Sequence, residues 1–478
     1  MSDSEQHQED ASGASKFSGN VLKVRDDHLP ICFKDADEKG KFQLCEGSDA
    51  SWAKQGQAFG IKDLRKHVEP WLTALFQSEH LSLLAGSGLT HAVHRMATGN
   101  PATGMGAIAF SSYKDEIAAA AAAAASKAGR HAGNMEDRLR TANELLRGLE
   151  IQGKSGDAAA LRAELDDTLK RFATSILESE SNIATADSSK REQAFNTLVA
   201  FLMSFASRTG VRDRLNIFTT NYDRLIEAGA EVAGLHLLDR FLGTLMPIFR
   251  SSRLDLDMHY NPPGIRGEPR YLEGVARLTK LHGSVDWVQV DSDIRRIGLP
   301  FGAKQIEPYL QAPGLAHASV NKLMIYPNAT KDRETSDYPY VELFRDLAAA
   351  VCRPNSTLIA YGYSFGDDHI NRVIRDMLTI PSTHLVVISY DDNPLGRIKK
   401  TYDEIGRPSQ ISLMIGPALA DLQTLTEHFL PKAAIDKATF RMSELLKQRY
   451  GTDQSPSPNP DRVVAVAPNA DDMSGADA

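Results

Sequence analysis

The stretch "LSLLAGSGLTHA", Leu81 to Ala92, sets an apolar run against the turn Gly86-Ser87-Gly88-Leu89-Thr90. A strand that stops at a glycine turn and hands over to a helix has this pattern. Chains form it where the backbone must approach an anionic group, usually a phosphate, although a glycine pair also serves plain tight packing. Downstream the same grammar repeats in "LNIFTTNYDRLIE" (215–227), "VARLTKLHGSVDWVQV" (275–290), "NKLMIYPN" (321–328), "STLIAYGYSFGDDHIN" (356–371) and "THLVVISYDD" (383–392). Each places an apolar run before a polar turn, as strands buried on both faces do, so the expected fold class is α/β with a doubly wound parallel sheet. Ligands of such sheets sit at the carboxyl ends of the strands. Gly86–Thr90, Thr219–Asp223, His282–Ser284, Gly362–Asn371 and Asp391 all fall at such ends and are expected to converge on one crevice.

A helix is expected over about 59–76, leading into the first strand at 81–84. Between Tyr113 and Arg208 the grammar is helical. Leu161, Leu165, Leu169, Phe172 and Ile176 recur at helical spacing, as do Phe195, Leu198, Leu202 and Phe205, and "IQGKSGD" (151–157) breaks the pattern. The run Ala118–Ala125 adds helix propensity with little bulk. The expected organisation is therefore a sheet domain in two pieces, 19–112 and 209–400, interrupted by a helical bundle at 113–208. A C-terminal helical segment at 401–451 follows, with apolar positions around 422–446, and mobile tails at 1–18 and 452–478.

Composition narrows the function classes. A formal net charge of -8 with no block of Lys and Arg argues against a dedicated nucleic-acid surface. The polar, acidic start resembles neither a secretory signal nor a transit peptide, and the alanine run is too short to cross a bilayer, so a cytoplasmic protein is expected. The 3 cysteines, Cys32, Cys45 and Cys352, form no Cys-x-x-Cys pair and are expected as buried free thiols rather than a disulfide framework or a zinc site.

Among the polar clusters, Thr219-Thr220-Asn221-Tyr222-Asp223 holds more chemistry than capping the next helix requires. His282 places an imidazole at a strand end, with Gly283 allowing close approach and Ser284 beside it. Gly362-Tyr363-Ser364-Phe365-Gly366-Asp367, followed by His369 and Asn371, offers a second phosphate or ribose contact. His91 and His94 lack a third ligand nearby and are read as structural.

In that order and each after a strand, the glycine turn, Thr-x-Asn-x-Asp, His-Gly-Ser and Gly-x-Ser resemble the sirtuin (silent information regulator) NAD-consuming domain, in particular the sirtuin-like NADases of bacterial antiphage defence. "GSGLT" resembles the family's pyrophosphate loop, "TTNYD" its Thr-Gln-Asn-Ile-Asp segment, "LHGS" its catalytic-histidine segment and "GYSFGDDHIN" its Gly-Thr-Ser variant. The resemblance implies a Rossmann-like fold of the sirtuin type and NAD+ as substrate. It implies catalytic roles for Asn221, His282 and Asp223, and substrate contacts from Gly86, Ser87, Gly88, Thr90, Thr220, Gly283, Gly362, Ser364, Asp367, His369, Asn371 and Asp391. The zinc ribbon of the deacylating sirtuins needs four cysteines, and the family's Gly-Ile-Pro-Asp-Phe-Arg stretch is replaced by "HAVHRMATGNPATG", so hydrolysis without zinc is expected rather than deacylation. Asp223 either orients its neighbours or binds the nicotinamide carboxamide. The resemblance also implies a homo-oligomer and a HerA-type hexameric ATPase partner encoded separately. A non-catalytic NAD or ADP-ribose sensor, and an ADP-ribosyl cyclase or transferase, are the alternatives.

Overall fold

Side chains of the first parallel strand alternate between two cores: Leu81, Leu83 and Ala85 pack into one, Leu84 into the other. Such a strand must lie inside a sheet covered on both faces. The computed structural model describes residues 16–24, 27–103, 109–127, 135–206, 213–251, 257–260, 270–312, 314–315, 339–392 and 396–432. Its eleven-stranded sheet comprises β1 (Asn20–Lys23), β2 (Ile31–Asp35), β3 (Lys41–Leu44), β4 (Phe59–Gly60), β5 (His80–Ala85), β6 (Leu215–Thr219), β7 (His236–Leu238), β8 (Val275–Lys280), β9 (Ser356–Tyr361), β10 (His384–Ser389) and β11 (Ile411–Ile415). The spatial order is β4-β3-β2-β1-β11-β10-β9-β5-β6-β8-β7.

From β11 to β7 all neighbours are parallel, as the sequence predicts. The strands β1 to β4 add an antiparallel meander on the β11 edge, which the sequence reading missed. These strands are 2 to 5 residues long, too short for a periodic signal. The chain leaves β5 for β6 on one side and later returns to β9 on the other, so the switch point lies between β5 and β9.

The helices are α1 (Ile61–Phe76), α2 (Ser87–Thr98), α3 (Lys114–Lys127), α4 (Met135–Ile151), α5 (Ser155–Ala184), α6 (Ser188–Ala206), α7 (Leu225–Ala233), α8 (Tyr340–Val351), α9 (Asp368–Leu378) and α10 (Arg397–Ile405), with shorter turns elsewhere. Leu72 of α1, Val93 of α2, Phe201 of α6 and Ile226 of α7 share the core of Leu83, whereas Leu347 of α8, Ile374 of α9 and Ile398 of α10 share that of Leu84. The result is a doubly wound α/β fold of Rossmann-like type. A third core joins Leu139, Leu161, Leu165, Phe172 and Leu177 of the inserted helices to Tyr222, Val285 and Val288, which flank the candidate site. Ile117, Ala121 and Ala125 form the buried stripe of α3, where alanine lets its neighbours approach closely.

Two expectations are corrected. Cys32 and Cys45 are disulfide-bonded, with Cα atoms 5.4 Å apart, because the β2–β3 hairpin brings them opposite each other; only Cys352 is a free thiol. The stretch from 401, expected as helical, supplies strand β11 to the main sheet. The expected strand at 321–328, the tail at 452–478 and most of the tail at 1–18 lie outside the described residues, as does the C-terminal stretch beyond 432. No helix among the described residues is long and apolar enough to cross a membrane.

Candidate active site

The glycine turn earns its glycines by a contact with the chain itself. A Cβ on Gly86 would lie 2.4 Å from the Gly362 carbonyl oxygen, one on Gly88 would lie 2.6 Å from the Gly362 Cα, and Gly362 takes a left-handed φ of +60°. The loops after β5 and β9 thus cross backbone on backbone. The Gly86 N–H donates to the Tyr361 carbonyl at 2.9 Å and the Gly88 N–H to the Gly362 carbonyl at 3.0 Å. The tight-packing reading of these glycines therefore holds, and the Gly88 amide is occupied rather than free for an anion. The N-cap of α2, Gly86, has no side chain to cap the helix, and with the Leu89 N–H donating to the Gly86 carbonyl at 3.1 Å the Ser87 amide is left without a hydrogen bond among the described residues.

Asn221 follows β6 and is buried. Its Nδ2 donates to the Gly86 carbonyl at 2.9 Å and to Thr90 Oγ1 at 3.0 Å, while the Thr90 hydroxyl donates to Asp223 Oδ2 at 2.5 Å. Asp223 Oδ1 accepts the Leu225 N–H at 3.1 Å. Asp223 thus ties Thr90 of α2 to the start of α7. Both amide hydrogens of Asn221 are engaged, and its Oδ1 has no hydrogen bond among the described residues.

His282 follows β8. Gly283, at a φ of +85°, turns the chain there. The ring Nε2 lies 2.9 Å from Asp367 Oδ2, with the two side chains only 11% and 7% exposed. Asp367 caps α9, its Oδ1 accepting the His369 N–H at 2.9 Å and the Ile370 N–H at 3.4 Å. Asn371 is buried and braces the same loop, its Nδ2 donating to the Phe365 carbonyl at 3.0 Å. The Tyr363 hydroxyl, kept protonated by burial, sits within 3.3 Å of Asn371 Oδ1. Of the expected substrate contacts, Asp367 is thus bonded to His282 and the start of α9, and Asn371 to the loop between β9 and α9.

The remaining predicted residues divide by exposure. Ser87, Ser364 and Asp391 are exposed at the carboxyl edge, and Thr220 and His369 are half-buried there, with the His369 ring edge-on to Phe344. His94 is structural as expected, its Nδ1 lying 2.9 Å from the Asn100 carbonyl. Burial lowers the pKa of the half-buried His91.

Beneath the site lie charges that sequence reasoning missed. Glu180 of α5 and Arg224, both nearly inaccessible, form an ion pair. Glu180 Oε1 also accepts the Arg224 backbone N–H at 2.8 Å, and the guanidinium reaches the Pro300 carbonyl at 3.1 Å. Burial raises the pKa of Glu180. The Phe172 ring stands edge-on to Tyr222 at 5.6 Å, so the inserted helices hold both neighbours of the Asn221–Asp223 network. Lys280 Nζ contacts the Asp223 carbonyl and, at 2.9 Å, Glu227 Oε1. Arg224 directly after the motif was visible, but its partner, 44 residues upstream, was not.

Four loops thus bring Gly86–Thr90, Asn221–Asp223, His282 and Asp367 together at the carboxyl edge. Residues 215–405 match the family model of the SIR2-like domain. The SIR2-like match contains Asn221, His282 and Asp367 and begins after the glycine turn. No curated protein matches the chain.

Proposed function

We propose that the crevice binds NAD+ and hydrolyses its nicotinamide–ribose bond, releasing nicotinamide and ADP-ribose. The reading rests on one observation: Asn221 and His282 follow adjacent strands at the sheet's carboxyl edge, each with one polar side-chain atom that has no hydrogen bond among the described residues. The nicotinamide ring of NAD+ is a cationic leaving group, so bond breaking needs an anchored pyrophosphate and a positioned nucleophile rather than a strong acid. The Ser87 amide at the start of α2 offers a donor to the pyrophosphate. Asn221 Oδ1 accepts a hydrogen bond from a ribose hydroxyl or from the attacking water, and His282 accepts the proton.

Within the same reading, the chain acts as a NAD-depleting effector of antiphage defence, as a homo-oligomer beside a separately encoded hexameric ATPase. Support for this part comes from the motif resemblance alone. Incubating the purified chain with NAD+ and identifying products by mass tests the core of the proposal. Nicotinamide and ADP-ribose in equal amounts are expected; cyclic ADP-ribose or a protein adduct would redirect it to a cyclase or a transferase, and intact NAD+ would refute cleavage.

A further inference from the structure

We infer that Asp367 is the positioning residue of His282, fixing the imidazole as its Nε2–H tautomer so that Nδ1 is the atom that takes the proton. The inference rests on the NAD+ reading above and assigns roles within that site.

The contact joins distant parts of the fold. His282 follows β8 and Asp367 follows β9, which are three strand spacings apart in the sheet, about 14 Å at the usual interval. The two loops reach toward each other across the ends of β5 and β6, where Gly86 and Asn221 lie. A helix cap alone has no need of a histidine from the far side of the crevice.

The carboxylate is held from both sides. Its Oδ1 accepts the His369 and Ile370 amides at the start of α9, and its Oδ2 lies against the imidazole. The loop that presents it is braced, with Phe365 at a left-handed φ of 54° and its carbonyl fixed by Asn371. An ionised carboxylate only accepts, so the neutral ring must place its hydrogen on Nε2. Nδ1 then carries the lone pair, and it has no hydrogen bond among the described residues.

In the hydrolytic step, the water oxygen bonds to C1′ of the ribose as the C1′–N bond breaks. Its electron pair stays with nicotinamide, which leaves neutral, and the water proton passes to Nδ1. The imidazolium so formed is stabilised by Asp367, and returning the proton to solvent resets the site.

The experiment compares the full-length wild type with Asp367→Asn and Asp367→Ser. Both replacements keep a cap acceptor for α9; the amide can still reach Nε2 but no longer dictates its proton, and the shorter serine cannot reach it. Two readouts are taken: the 15N ring signals of His282, assigned with a His282→Gln control, and the kcat and KM for NAD+. The wild type is expected to show the Nε2–H tautomer, and both variants a mixture. The kcat should fall on the order of 100-fold with KM nearly unchanged, because the lost interaction matters in the transition state. A wild type with its hydrogen on Nδ1, or variants that keep both tautomer and kcat, would overturn the inference. A wild type inert toward NAD+ but showing the Nε2–H tautomer would refute the hydrolase reading instead, leaving the pairing in place.

Discussion

Two histidines sit at opposite ends of the same parallel strands, and their surroundings differ in one respect. At the amino edge, His384 opens β10 with Nε2 2.8 Å from Ser412 Oγ, and the Trp71 indole N–H donates to that same oxygen at 3.0 Å while the ring packs edge-on to the imidazole. Gln410 nearby is likewise spent on the carbonyls of Ile380 and Thr383. At the carboxyl edge, His282 is equally polar in its contacts, but its carboxylate partner is itself pinned by a helix N-terminus, and Asn221 across the crevice has an acceptor with no hydrogen bond among the described residues. A histidine inside a closed network of neutral partners contributes to the fold. One oriented by a fixed carboxylate beside an unspent acceptor is equipped for proton transfer.

The largest effect expected from this contrast is on turnover. His282→Ala and Asn221→Ala should each lower NAD+ cleavage by roughly 10²- to 10⁴-fold, the usual worth of a positioned acid–base group. His384→Asn should leave it near the wild-type rate. Initial-rate assays of the three variants, with circular dichroism to verify folding, decide the matter. Equal losses at both edges would erase the distinction between the two histidines.

Next in size is the ion pair beneath the site. Glu180 and Arg224 resemble His384 in being enclosed, so a change there should appear as lost stability. Glu180→Gln leaves the Arg224 guanidinium buried against a neutral partner, at a cost of about 3–5 kcal/mol, while Glu180→Met with Arg224→Met should recover most of it. Urea unfolding of the single and double variants measures both values. A single variant as stable as wild type would show that the inserted helices do not hold the Asn221–Asp223 loop through this pair.

How far such partnerships could be read from the sequence follows from their range. The carboxyl-edge clusters were legible because Gly86, Asn221, His282 and Gly362 each end an apolar run, which is local information. The bonds that define their roles join residues far apart: 85 positions separate His282 from Asp367 and 131 separate Asn221 from Thr90. Cys32 and Cys45 were misread for the same reason, since their pairing depends on a hairpin whose strands are too short to show a period. The glycines illustrate a subtler failure, because a loop that must approach an anion and a loop that must cross another loop use the same residue.

The amino-edge histidine makes a smaller prediction, in pH rather than rate. Burial, with a lesser contribution from Lys23, pushes His384 down from 6.5 to about 4. Between those values the unfolded chain binds a proton that the fold refuses, so the stability His384 contributes is fully present above about pH 6.5 and is lost as pH falls toward 4. The full shift corresponds to about 3 kcal/mol. Melting temperature followed from pH 7 to pH 4 should therefore drop less steeply in His384→Asn than in the wild type. Parallel slopes would mean that this imidazole is not the group whose protonation opposes folding.

The smallest effect expected is none, and it guards the central comparison. An unspent imidazole nitrogen is also what a metal ion seeks, and zinc bound to His282 would turn a general base into a ligand. Among the described residues no group of three or more His, Cys, Asp and Glu side chains is arranged to hold a metal ion, and two of the three cysteines are joined to each other. Dialysis against a strong chelator should accordingly leave kcat and KM for NAD+ unchanged. Activity lost on chelation and restored by zinc would assign His282 to the metal, and the contrast with His384 would then be one between a ligand and a buried neutral ring.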